Sequence, residues 1–215
     1  LITGNIQTQS NYRILNVIYA LKEIIKENKN IFLKVAGYIQ DREAIISKVH
    51  QLNLENHITL LKNYTQEDAP ELYKKADAYI TIAYQDNCPS AVLEAMSSGL
   101  PILYSSSGGI PELVDKDSGI GLKVSKNWEK TQVPRTDDIQ IGMNKIIENK
   151  KMMSEASRIR ALEKFDLKNW ITKHELVFEK LLDKYWYYFF ALNNSIITRW
   201  GLKIKNIKIQ TKRLI

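Results

Sequence analysis

Short segments that are apolar at consecutive positions constrain this chain more than any other feature. Residues 31–36, 58–61, 78–83 and 101–104 are of this kind, and residues 1–3 open the chain in the same way. A strand with one wet face alternates apolar and polar side chains. A strand apolar at successive positions is buried on both faces, as in a parallel sheet covered by helices. Helical spacing lies between the runs. Residues 12–26 place Ile14, Val17, Ile18, Leu21, Ile24 and Ile25 three and four apart, and residues 41–52 repeat Ile45, Val49 and Leu52. Thr65 opens a third helix with Asp68 three residues on, a weak relative of the capping box. Strand and helix in this alternation predict an α/β class with a Rossmann-like doubly wound parallel sheet.

Beyond residue 125 the pattern changes. Residues 126–135 read as a polar loop. Thr136, Asp137 and Asp138 then look like a helix start, with acids at the positive end of the dipole. Helices are expected at 137–149, 151–164 and 168–182. The division expected is an α/β domain with closing helices over 1–182 and an aromatic and basic extension over 183–215. Residues 185–190 are all aromatic, which calls for burial, pairing or a lipid interface.

Charge decides between partners. The net charge is +7, yet Arg199, Lys203, Lys205, Lys208, Lys212 and Arg213 supply +6 of it within residues 196–215, where there is no acid. A nearly neutral body argues against nucleic acid as a partner, and the tail is what an anionic membrane surface would attract. Leu202, Ile204, Ile207 and Ile209 form no single helical stripe, so an extended tail with a break at Asn206 is expected. No stretch of about 18 apolar residues is present, so no spanning helix is predicted. The chain starts without Met and without a secretory signal, which reads as a piece of a longer protein. The lone Cys88 leaves no internal disulfide and fits a cytoplasmic setting, at the inner face of a membrane if the tail binds there. His50, His57 and His174 are scattered, so no metal site is expected.

The chemistry concentrates in residues 84–113, YQDNCPSAVLEAMSSGLPILYSSSGGIPEL. A buried strand ends in a polar loop, and Pro89 and Ser90 start a helix, Pro pre-set for a first turn and Ser a good cap. A helix N-terminus at the carboxyl end of a buried strand is where ligands bind in open α/β sheets, and its amides suit a phosphate. Glu94 is the only charge in that helix. It needs partners, which are either ligand hydroxyls or neighbouring groups of the core. Gly99 ends the helix. The turn through Ser107, Gly108 and Gly109 allows close approach of backbone to a ligand. With the preceding loop it could form a cradle for a diphosphate.

The stretch DNCPSAVLEAMSSGLPILYSSSGGIPELV resembles the donor-site signature of family 4 glycosyltransferases of the GT-B fold: an acid, seven residues, Glu, small residues, Gly-x-Pro and a Gly-Gly-x-x-Glu segment. VAGY at 35–38 and ITLLKNYTQEDAPELYKKADAYI at 58–80 agree with it in order and spacing. The resemblance covers residues 1 to about 180, the C-terminal half of such an enzyme. It implies retaining transfer from a nucleotide-sugar, with no metal or other cofactor. The acceptor, a glycan or a lipid-linked sugar, and the N-terminal GT-B domain that binds it lie outside this half.

By position in that signature, Glu94 would bond the donor ribose. Asp86 would contact the donor sugar where the family usually has the longer Glu, and these two are the catalytic candidates. Asn87, Cys88 and Pro89 would shape the loop around sugar and diphosphate. The amides of Ser90 and Ala91 would face the phosphate, beside Gly108 and Gly109. Gly37, Tyr38 and Tyr64, in loops after the second and third strands, would wall the base. Cys88 has no His partner that would make it a nucleophile. The family's Gly-Arg after the first strand is here Gly4-Asn5, and its Lys-Gly is absent. Arg13, the only cation in the first 21 residues, either takes the phosphate role or is a surface residue. The alternative to an enzyme half is a degenerate, non-catalytic module for binding or attachment.

Overall fold

The computed structural model describes residues 1–6 and 14–200, with residues 186–200 described by backbone alone. Arg13, the expected helix start at Tyr12 and the tail beyond Trp200 therefore lie outside the described residues, as do the side chains of Trp186 to Phe190. The chain divides into two compact units, Leu1–Phe165 and a second that begins at Asp166.

Six strands form in the first unit: β1 (Ile2–Ile6), β2 (Leu33–Ile39), β3 (Ile58–Leu60), β4 (Tyr79–Thr81), β5 (Ile102–Ser105) and β6 (Gly119–Leu122). They make two parallel three-stranded sheets, ordered β1-β2-β3 and β4-β5-β6. The sheets meet at Leu1. Its nitrogen donates to the Ala78 carbonyl and its carbonyl accepts from the Ile80 amide, both at 2.8 Å. Across the unit the order is thus β3-β2-β1-β4-β5-β6. The direction of winding reverses between β1 and β4, and ligands of such sheets bind at the carboxyl ends of those two strands.

The consecutive apolar runs are explained by two cores, one on each face. In β4 and β5, Ile80 and Leu103 join the cluster that holds Val17, Leu21 and Val35. Their neighbours Tyr79, Ile102 and Tyr104 join the cluster that holds Tyr73, Val92 and Met96. The α/β, doubly wound expectation holds.

Helices α1 (Leu15–Glu27), α2 (Arg42–Gln51), α3 (Ala69–Lys74), α4 (Ser90–Ser97) and α5 (Ile110–Leu113) connect the strands. Two expected helix starts shift. Thr65 does not open α3. Its hydroxyl and amide bond the Asp68 carboxylate at 2.7 and 3.1 Å, and this reciprocal pair builds a turn ahead of Ala69. Ser90 does not cap α4. Pro89 takes the N-cap position and Ser90 is already helical, so no side chain caps the helix. Gly99 does end α4: its amide bonds Met96 O at 2.9 Å and the Leu100 amide bonds Ala95 O at 2.9 Å, the paired bonds of a Schellman end.

The two helices expected over 137–149 and 151–164 are one, α6 (Thr136–Lys164). At their join stand Asn149 and Lys150, with no Gly or Pro to break the helix, and the Asn149 side chain bonds the Lys145 carbonyl. From α6, Ser154 and Ser157 donate to the Gly99 and Leu100 carbonyls and Arg158 to Ser97 O. Arg160 grips Glu112 O, Leu113 O and the Asp115 carboxylate. In the second unit, the Asp166 carboxylate accepts the Lys168 and Asn169 amides and so caps α7 (Leu167–Trp200). That helix runs unbroken through position 182. Tyr185, the first residue of the aromatic run, is exposed. Among the described residues no helix is long and apolar enough to cross a membrane.

Candidate functional site

The loop after β4 carries the residues on which the sequence concentrates. Gln85 sits at a φ of 59°, the left-handed region that a side chain other than Gly or Asn enters at a cost of about 1 kcal/mol. Its surroundings hold it there. The Gln85 amide bonds the Ser107 hydroxyl at 3.1 Å, and its side-chain amide bonds Asn127 O at 3.1 Å. Directly before it, the buried Tyr84 hydroxyl donates to Asn127 O at 2.7 Å and accepts from the Asn127 amide at 2.7 Å. The loops after β4, β5 and β6 are therefore tied together at the carboxyl end of the sheet.

Gly108 and Gly109 serve this tie. A methyl group on Gly108 would overlap the Asp86 carbonyl, and one on Gly109 would overlap the Asn87 carbonyl. The Gly109 amide bonds Asp86 O at 2.9 Å. What these glycines admit in the structure is the backbone of the neighbouring loop. Gly109 has no amide left for a diphosphate. The Asp86-Asn87 backbone is instead held rigidly ahead of α4. Asn87, Cys88 and Ser90 are exposed, and Pro89 and Ala91 half-buried. The first amides of an α-helix have no partner inside it, and with no side-chain cap those of Ser90 and Ala91 remain available to an anion.

On the other side of the reversal point, β1 and β2 extend further than the apolar runs indicate. Gly4 pairs with Gly37 and Asn5 with Tyr38 inside the parallel ladder, so these four residues belong to strand ends and not to loops. Gly37 is required because a methyl there would overlap the Gly4 carbonyl. Gly4 has open space where its own side chain would be. Asn5 and Tyr38 are exposed, Tyr38 to 59%. Tyr64 lies apart from them, half-buried against the second core cluster.

Glu94 stands one turn into α4 and is half-buried. Its Oε2 accepts the Tyr73 hydroxyl at 2.9 Å. That hydroxyl is 3.3 Å from Thr3 Oγ1, which is 3.0 Å from the Tyr79 hydroxyl. A carboxylate only accepts, so Tyr73 donates to Glu94, which leaves Thr3 to donate to Tyr73 or to Tyr79, and the Tyr79 proton to Thr3 Oγ1 or to the Thr3 carbonyl 3.5 Å away. Burial pushes both phenols well above their ordinary titration range, so each keeps its proton. Among the described residues Oε1 of Glu94 accepts no bond. Of the two readings of this carboxylate, the structure gives the core partner, Tyr73 on Oε2.

Thr3, Tyr73 and Tyr79 escape a reading of the sequence, because they are ordinary in strands and helices and lie some seventy positions apart from Thr3. The only signal is that two aromatic rings with polar tips fall in otherwise apolar packing positions. The histidines have local explanations: His50 bonds Glu55, His57 bonds Ile31 O and His174 stacks on Trp170. Among the described residues no group of three or more His, Cys, Asp or Glu side chains could hold a metal ion.

Comparison with known proteins gives this geometry a context. Residues 5–160 match the family model described as Glycosyl transferases group 1. N-acetyl-alpha-D-glucosaminyl L-malate synthase of Bacillus anthracis is 25% identical over 171 residues, 79% of this chain and 42% of that protein. Among solved structures, the pneumococcal O-GlcNAc transferase GtfA, in complex with UDP and GlcNAc, matches with a TM-score of 0.68 at 17% identity. The match covers 84% of this chain and 35% of that one. The C-terminal domain of LpcC, a group 1 family glycosyl transferase from Francisella tularensis, matches with a TM-score of 0.64 at 16% identity, over 77% of this chain and 86% of that one. Likeness at these identities shows a shared fold, that of one half of a GT-B protein. The chain spans less than half the length of the curated relatives it matches.

Proposed function

This chain belongs to the glycosyl transferases group 1 family, and on that premise we propose that it supplies the donor-binding half of a retaining glycosyltransferase. The observation that carries the reading is the start of α4. At the point where the sheet's winding reverses, a helix begins without a cap, and a carboxylate one turn further in keeps one oxygen open. The amides of Ser90 and Ala91 hold the donor diphosphate, and Glu94 Oε1 accepts a ribose hydroxyl. The braced loop Asp86-Asn87-Cys88 lies against the sugar. Gly4 leaves room for the donor beside it, and Tyr38 offers a face for the base. As the glycosidic bond breaks, negative charge gathers on the departing diphosphate. Amide dipoles fixed in advance stabilise it there, with Arg13 as the candidate cation in place of the residues absent after Gly4. A separate N-terminal domain binds the acceptor, a glycan or a lipid-linked sugar.

UDP is the first ligand to test, because solved proteins of this fold hold it. Titration calorimetry of the chain with UDP, GDP and ADP identifies the base. Glu94→Gln keeps the shape of the side chain and removes the anionic acceptor. It weakens the preferred nucleotide by roughly 1–3 kcal/mol. Unchanged affinity in a folded Glu94→Gln protein removes Glu94 from the site. A second reading, a domain that binds donor without supporting transfer, is favoured by the neutral Asn5 beside Gly4. Nucleotide binding without turnover in the whole protein, acceptor present, distinguishes it.

A further inference from the structure

The relay that ends at Glu94 has no part in the catalytic or binding roles assigned above, and its geometry points to one. We propose that Tyr73 is a positioning residue: by bonding Oε2 of Glu94 it turns the carboxylate so that Oε1 is presented to a sugar hydroxyl of the bound nucleotide. The inference rests on the reading of Glu94 as a donor contact.

Three features carry it. First, the contact is directional. The Tyr73 hydroxyl lies 2.9 Å from Oε2, while Tyr73 itself is 1% exposed and cannot swing away without opening the core. Second, the relay joins elements from both sides of the reversal point. Thr3 precedes Gly4 on β1, Tyr73 is on α3, Tyr79 opens β4 and Glu94 is on α4. One chain of hydroxyls thus sets the carboxylate relative to the strands on both sides of the reversal point. Third, the hydroxyls form one connected network that ends on an anion. Such chains polarise one another and hold their geometry more firmly than separate bonds do. A free glutamate side chain on a helix samples several rotamers and loses that freedom when a ligand orders it. Here the core has already ordered it.

The consequence is a fixed approach: the direction of the Tyr73 bond sets where a ligand hydroxyl must stand to reach Oε1.

The experiment compares the chain and its Tyr73→Phe variant by calorimetry, using whichever of UDP, GDP and ADP binds and the 2′,3′-dideoxy form of the same nucleotide. Tyr73→Phe keeps the ring and its packing. It lowers affinity for the natural nucleotide roughly ten-fold or more, the worth of one hydrogen bond to a charged group lost or misdirected. It changes affinity for the dideoxy form less than about two-fold. The double variant with Glu94→Gln is no weaker than Glu94→Gln alone. Tyr79→Phe, which removes the far hydroxyl of the relay, gives the same selectivity at smaller size and serves if Tyr73→Phe does not fold. An equal loss for both ligands makes Tyr73 a purely structural residue and overturns the proposal. So does unchanged affinity in Tyr73→Phe when Glu94→Gln weakens binding. If Glu94→Gln has no effect, or none of the three nucleotides binds, the assignment of Glu94 fails with it.

Discussion

The two sides of the crevice are built on opposite terms. On the β4–β5–β6 side every loop is fastened to another: Ser107 to Gln85, Gly109 to Asp86, and Tyr84 to the segment at Asn127. The glycines there exist to let backbone meet backbone. On the β1–β2 side the described residues reach the solvent as paired strand ends, with Asn5 and Tyr38 exposed and empty space over Gly4. The braced side presents fixed dipoles, which suits the part of a ligand where charge develops, since reorganisation at that moment would cost energy. The open side presents surface, which suits a flat, uncharged part.

Because of this contrast, substitutions on the two sides fail in different ways. The largest effect falls at Gly109→Ala. Its backbone φ is ordinary at −94°, so the cost is overlap with Asn87 O alone. Denaturant unfolding shows a loss of about 1–3 kcal/mol, with nucleotide affinity falling as the loop is displaced. A neutral Gly109→Ala breaks the picture of a braced side. Tyr84→Phe comes next. Removing the hydroxyl strands the amide of Asn127, while its carbonyl keeps only the Gln85 side chain, and costs about 1 kcal/mol. The clearer signal is faster limited proteolysis within residues 123–135, and an unchanged cleavage rate assigns that loop another anchor. The smallest effect is at Tyr38→Ala. Folding stays within about 0.5 kcal/mol because the ring is exposed. Nucleotide binding weakens by about 0.5–1.5 kcal/mol through the lost aromatic face. A large folding loss at Tyr38 would erase the distinction between the sides.

The same contrast explains what could be read from the sequence. Residues 78–83 and 101–104 announce β4 and β5 because burial on both faces leaves no polar position to interrupt them. β6 was not among the expected strands. Gly119 and Gly121 take half of its four positions, and glycine carries no hydrophobic signal. It is a strand because Gly119 lets Ile102 O come close and β5 supplies the pairing. α4 and Glu94 were legible because one charge in an apolar helix is conspicuous. Tyr73 was not, because its role is set by a carboxylate 21 residues away and a threonine 70 residues away, a separation that no local pattern encodes. Pro89 in the capping position was missed for a related reason. Pro-Ser allows either residue to lead the helix, and tertiary placement of the loop decides.

The long helix α6 gives the site a polarity that neither α4 nor α5 has alone. Arg158 meets the carbonyl end of α4 at Ser97, and Arg160 meets that of α5 at Leu113. A helix in water carries partial charges of opposite sign at its two ends, and a distant anion feels both. Here a guanidinium offsets the negative pole of each helix, while neither start has a side-chain cap. For α4 the effect is that of an electrode wired from behind: its end is grounded in the protein and its start faces the crevice. An eight-residue helix can then attract an anion more strongly than its length alone would provide.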